Sequence, residues 1–120
     1  MVFKERRRAQ RVDANLAITV CAGPAEASGT ILNISTNGVY FRSPYFMEPL
    51  TKVQLRLLMP EQDQTSVTET TITCDGVVVR VVPEGEDPSV SSYEVAVFFT
   101  NVPESSLETL TNYIKSRLSA

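Results

Sequence analysis

The sequence predicts an all-β fold with one C-terminal helix, closed as a small six-stranded antiparallel barrel. Three observations predict it. Six runs between Asn15 and Phe99 are rich in valine, threonine and isoleucine, and most alternate apolar with polar residues, the period of a half-buried strand. Mostly short, turn-forming stretches join them. An apolar stripe at helical spacing occurs once, after Pro103. Strands of this kind followed by a single helix make a barrel, and closure removes the exposed edges. An open sandwich with the helix across its mouth is the alternative. At 120 residues the chain is long enough for one core and one domain.

The elements follow in order. Residues 1–13 show no periodicity and read as a flexible basic arm, closed by Asp13; the barrel with its helix occupies 14–120. Leu16, Ile18 and Val20 share one face of the first strand, and Ala22-Gly23-Pro24 ends it. Ser28 to Asn33 is the second strand, with Thr30 and Leu32 on one face and Ile31 on the other. Asn33 to Gly38 is a polar loop whose Asn, Ser and Thr side chains bond neighbouring backbone, and whose Asn-Gly step tolerates positive φ. Val39 to Arg42 is the third strand, stopped by Ser43-Pro44. Lys52 to Leu57 alternates cleanly as the fourth and ends at Met59-Pro60. The polar run Glu61 to Thr68 reads as a loop. Thr70 to Val82 is a long fifth strand with a bulge or bend at Asp75-Gly76. Residues 83–88 form an acidic loop, and Tyr93 to Phe99 is the sixth strand. A helix over 103–118 starts at Pro103, carries Glu104 at its positive end, and lines Leu107, Leu110, Ile114 and Leu118 along one side.

Charge is uneven. Residues 1–11 carry Lys4, Arg6, Arg7, Arg8 and Arg11 against Glu5, a local +4, whereas the remainder carries six basic and thirteen acidic side chains, a local −7. Four guanidiniums in six residues have no use in a core. They suit an anion: the guanidinium fork meets phosphate or a guanine O6/N7 edge bidentately, and its face stacks on bases. A solvated basic tail is the bland alternative. The acidic pI of about 4.9 and the confinement of positive charge to one segment favour a small discrete anion over a long polyanion such as DNA.

Other chemistries are disfavoured. There is no histidine, so no Ser-His, Cys-His or zinc constellation can be assembled. Cys21 and Cys74 lack CxxC spacing and read as small buried hydrophobes rather than a disulfide or metal site. Glu84, Glu86 and Asp87 read as a solvated loop. No catalytic site, metal or cofactor is expected, and the chain is not expected to be an enzyme. No run of eighteen apolar residues exists and the N-terminus lacks a secretory core, so no membrane insertion and a cytoplasmic location are expected.

One hairpin brings the two polar oddities together. A first strand of roughly eight residues runs out about 26 Å at ~3.3 Å per residue, and the second returns the same distance. The loop at Asn33 to Gly38 therefore arrives where the arginine arm began. Its backbone N–H groups and the Asn33 and Ser35 side chains face one part of a ligand, and the arm supplies guanidiniums to another.

Arg7-x-x-x-Arg11 followed one hairpin later by Asn33-x-Ser35-x-x-Gly38 resembles the signature of PilZ domains, receptors for the bacterial messenger cyclic di-GMP: RxxxR, then [D/N]xSxxG. Val77 to Arg80 and Tyr93 to Phe99 are similar to that family's later strands, and the resemblance covers nearly the whole chain. Ala96 departs from it, standing where many members have glycine and narrowing the space there. The resemblance implies a PilZ-like split barrel and a cyclic di-GMP site in which Arg7 and Arg11 bind phosphate and the guanine Hoogsteen edge. Asn33, Ser35 and Gly38 would hold the other guanine and the backbone turn, Gly38 suiting a position that needs positive φ or close approach. Arg6 resembles a residue of members that take up a stacked ligand pair, and Arg8 has no assigned role. The function implied is a second-messenger receptor whose arm orders on binding and presents a surface to a downstream protein partner. Loops at 60–68 and 83–92 are the places for such contacts. The alternative is a barrel of the same family that serves as a protein-interaction module without nucleotide. A single-strand nucleic-acid barrel would need aromatic platforms on a basic groove, and the cluster Tyr40, Phe41, Tyr45 and Phe46 has only Arg42 beside it.

Overall fold

Alternation decides which side of each strand faces inward, and in a computed structural model of the chain that describes residues 10–62 and 67–119 the inward sides meet in one core. The strands are β1 (Val12–Asp13), β2 (Ala17–Ala22), β3 (Ala25–Ile34), β4 (Gly38–Ser43), β5 (Lys52–Gln62), β6 (Val67–Val82) and β7 (Tyr93–Asn101), followed by α1 (Glu104–Leu118). All pairings are antiparallel. They run β3-β2-β5-β6-β7-β4, and β4 pairs back onto β3, closing a six-stranded barrel. Ile18, Val20, Val39, Phe41, Leu55, Leu57, Val95 and Val97 fill it, each buried.

β1 extends the β2 line along the same edge of β3. Val12 pairs with Ile34 and Asp13 with Asn33. Val12, expected in the arm, is instead buried in the core, so the barrel begins two residues before 14. Bulges break strict alternation twice where no turn residue signals it. The β3–β4 register slips between Ile31 and Asn33, so Ile31 and Ile34 both point inward although three apart. A slip between Val78 and Arg80 does the same for Val78 and Val81. The slip at Asp75/Gly76 sits where the sequence places a bend. A Cβ on Gly76 would lie 2.5 Å from Val97 Cγ1, so only glycine lets β6 approach β7 there.

Several boundaries differ from expectation. β3 starts at Ala25 rather than Ser28. The polar run 61–68 is not all loop: Glu61 and Gln62 pair with Thr68 and Val67, so the hairpin extends further than its polarity suggests. Register, not hydrophobicity, carries these pairs, because β5 and β6 are already aligned from Lys52 and Val77 onward. Pro60 is tolerated since it lies past the last β2–β5 pair, Ile18 with Leu57, where β5 has a neighbour on one side only.

Pro103 caps α1 from outside rather than opening it, and Glu104, Lys115 and Arg117 complement the helix dipole. The helix packs on β5, β6 and β1. Its buried side is Ser106, Leu110, Tyr113 and Ile114, while Leu107 and Leu118, expected on the same stripe, are exposed. Both cysteines are free thiols; Cys74 is buried, which pushes its thiol up to about 12, and Cys21 is half-buried. No helix among the described residues is long and apolar enough to cross a membrane.

Truncating the two helix leucines separates these faces. Leu110→Ala removes a fully buried side chain and should cost about 2–5 kcal/mol in urea unfolding. Leu118→Ala should stay within about 0.5 kcal/mol. Equal losses would mean that the helix is seated on a different face.

Candidate ligand site

The site grows from one tight connection. Between β3 and β4 the chain turns over Ser35, Thr36 and Asn37. The Ser35 N–H donates to the Gly38 carbonyl at 2.9 Å, and the Ser35 hydroxyl accepts the Asn37 N–H at 3.0 Å. Ser35 is therefore buried and spent on the turn. The Phe99 N–H donates to the Asn37 carbonyl at 2.8 Å, tying the turn to β7. Neither Asn37 nor Gly38 has positive φ. Gly38 is needed for closeness instead, since a Cβ there would stand 2.5 Å from the Val97 carbonyl oxygen.

The bulge beside Leu32 decides what this turn presents. It takes Asn33 out of the inward row, and Asn33 is paired on both sides, with Asp13 of β1 and Tyr40 of β4. Tyr40 pairs with Ala96, and Ala96 with Arg80. Asp13, Asn33, Tyr40, Ala96 and Arg80 thus form one lateral row on the outer wall. From Asn33 to Arg80 it spans three strand spacings, about 14 Å. The next outward row is Gly38, Phe98 and Val77. Phe98 is 51% exposed, a large ring on the wall between a residue without a side chain and the small Ala96.

Cationic groups flank the rows. Arg11, at the root of the arm, donates from Nη1 to Asn33 Oδ1 at 2.8 Å. This single bond joins the two halves of the pattern seen in the sequence. Asn33 is neutral, so Arg11 keeps its charge uncompensated there. Arg80 is exposed at the other end. Tyr40 is held by its hydroxyl, which donates to Glu94 Oε1 at 2.7 Å, and Glu94 also pairs with Arg42 at 3.4 Å. That Tyr40 bond holds the Glu94 carboxyl below its usual range; desolvation opposes it and Arg42 adds to it. The same bond raises the Tyr40 phenol. Tyr40 is thereby fixed as a protonated donor.

Of the residues singled out in the sequence, Arg11, Asn33, Ser35 and Gly38 are together at one end of the barrel. Arg6, Arg7 and Arg8 lie outside the described residues. Phe98, Tyr40 and Arg80 join the site from β7, β4 and β6 without having been singled out for it. The doublet Phe98-Phe99 carried a signal: alternation buries one ring and must expose the other. Of the other aromatics, Phe41 is core, Phe46 packs edge-on to Tyr93 at 5.5 Å, and Tyr45 is exposed. No cluster of three metal-ligating side chains occurs among the described residues. A separate groove of about 820 Å³ lies among Cys21, Lys52, Gln54, Asp75 and Thr100 and shares no residue with these rows, except that Val77 borders both.

A family model described as the PilZ domain matches residues 5–116. No curated protein matches. The fold is shared with solved structures, including these three. The Bacillus subtilis inhibitor of motility, MotI/DgrA, is 20% identical with a TM-score of 0.74, over 95% of this chain and 52% of that one. The PilZ domain of Escherichia coli YcgR, solved with c-di-GMP, is 16% identical with a TM-score of 0.63, over 95% and 92%. Borreliella burgdorferi PlzA, in complex with c-di-GMP, is 14% identical with a TM-score of 0.54, over 97% and 54%. The chain spans about half the length of the first and third.

The tightness at Gly38 has a direct test. Gly38→Ala forces a Cβ against backbone that has no rotamer to yield, and should cost about 1–3 kcal/mol in thermal unfolding. Ala96→Gly, on the open wall, should cost less, about 0.5–1 kcal/mol. A melt of Gly38→Ala that overlays the parent would show that the turn can relax away from Val97.

Proposed function

The chain belongs to the PilZ domain family, and on that premise we propose that it is a receptor for cyclic di-GMP in bacterial second-messenger signalling. The contact of Arg11 with Asn33 is the observation that carries the reading, because it puts the arm's root and the polar turn in one place. A cyclic dinucleotide brings two phosphate charges and two purines with O6/N7 edges. Arg7 and Arg11 take phosphate and a Hoogsteen edge. Asn33 reads the second guanine, and Ser35 with Gly38 keeps the turn close enough for backbone N–H groups to face it. Phe98 and Tyr40 offer rings to the purines, Ala96 leaves room between them, and Arg80 faces the far side. Arg6 serves a second, stacked ligand molecule.

The charges of the arm repel one another until a ligand neutralises them. Binding then gathers the arm onto the barrel end, a change from loose to ordered that biases a surface toward a downstream protein in the cytoplasm. The protein acts as an adaptor, with no catalytic step. The PilZ domain of YcgR and PlzA, both solved with c-di-GMP, support the ligand class.

Isothermal titration with cyclic di-GMP tests this, with stoichiometry read alongside affinity. A ratio of two per chain supports the role of Arg6. Ligand at a hundredfold excess over Kd should raise stability by about 2.7 kcal/mol. Arg7→Ala or Arg11→Ala should each weaken binding by about 2–3 kcal/mol, and Phe98→Ala by about 1–3 kcal/mol. No heat and a flat thermal shift at saturating nucleotide would leave the interaction module without nucleotide as the function.

A further inference from the structure

The root of the arm is held from an unexpected side. β1 is two residues long, and a two-residue ladder is a weak element by itself. Val12 anchors it in the core, and the Ala14 N–H donates to the Leu32 carbonyl at 3.0 Å. A further bond comes from the other end of the chain: Arg117, in the last turn of α1, donates from Nη2 to the Asp13 carbonyl at 3.0 Å. Its guanidinium carbon stands 5.9 Å from the centroid of the Tyr113 ring, and Tyr113 is buried against the barrel. An arginine so placed has its fork aimed by the ring. The acceptor is a backbone carbonyl, so the contact depends on where β1 sits and not on the Asp13 side chain.

Two hydrogen bonds and one cross-strand pair link the helix end to Arg11. Arg117 holds Asp13, Asp13 pairs with Asn33, and Asn33 accepts Arg11. We infer that Arg117 is a positioning residue of the ligand site, clasping the arm's root to the last turn of α1, so that occupancy of the site is felt at the C-terminal end of the helix. The ligand part of this inference rests on the receptor reading; the clasp itself does not. Coupling between two sites is reciprocal, so a clasp that helps seat the arm is also tightened when a ligand seats it. Lys115 and the exposed Leu118 share that last turn with Arg117, which makes the turn a surface whose rigidity can report the ligand.

A purely structural role is distinguishable. Arg117 also complements the helix dipole, and lysine does that as well. Lysine lacks the planar fork, so Arg117→Lys rescues a dipole role and does not rescue a clasp. The experiment is hydrogen exchange on the full chain, without and with cyclic di-GMP, for the parent, Arg117→Lys and Arg117→Ala. Without ligand, both variants should exchange the Ala14 amide roughly fivefold faster or more, while the Val97 and Phe99 amides are unchanged. With ligand, the parent should gain protection over residues 115–119 and both variants should not, and their affinity should fall roughly three- to tenfold. Parent-like exchange at Ala14 in Arg117→Ala, or full rescue by lysine, overturns the clasp. A parent that takes up no nucleotide overturns the receptor reading instead, and the ligand-free exchange then decides the clasp by itself.

Discussion

A two-residue ladder, Val12 with Ile34 and Asp13 with Asn33, fixes where a densely cationic segment leaves a barrel whose body is acidic. Everything at the candidate site depends on that exit point. Had the chain entered at the opposite end of β3, beside Ala25, Arg11 would not meet Asn33. Burial of Val12 sets the exit, and the register of one hairpin then carries Asn33 beside Arg11.

The second constraint is local. An antiparallel strand cannot aim two successive residues at solvent without an extra residue in the ladder. The bulge beside Leu32 supplies it. Ile34 returns to the core, and Asn33 turns outward between Asp13 and Tyr40. From there the sheet's own pairing lays out the rest: Ala96 and Arg80 follow across β7 and β6, with Gly38 and Phe98 one row nearer the end. On that wall Ala96 is small beside Phe98 and Tyr40, and Gly38 packs its backbone against Val97.

Much of this was legible in the residues. Alternation in β2, β5 and β7 gives their inward faces, and the short hairpin is enough to bring Arg11 to Asn33. What escaped shares one cause. Bulges at Leu32 and Val79 carry no glycine or proline, so composition cannot reveal them; they arise from pairing on both sides of the strand. The β5–β6 hairpin outruns its hydrophobic pattern because an established register continues into the polar run 61–68. Leu107 and Leu118 share a helical stripe with Ile114, yet the barrel covers only the side carrying Leu110 and Tyr113. For Gly38 the residues leave positive φ and close approach both open, and the structure decides for closeness against Val97.

Backbone chemical shifts, followed by NMR while cyclic di-GMP is added, decide whether the nucleotide seats beside the β3–β4 turn, because they locate it without altering the chain. Perturbations are expected at Arg11, Asn33 to Gly38, Tyr40, Ala96 and Phe98, with the groove around Cys21, Lys52 and Thr100 silent. Perturbations centred on that groove, with Asn33 and Phe98 unmoved, would place the nucleotide elsewhere and end the reading.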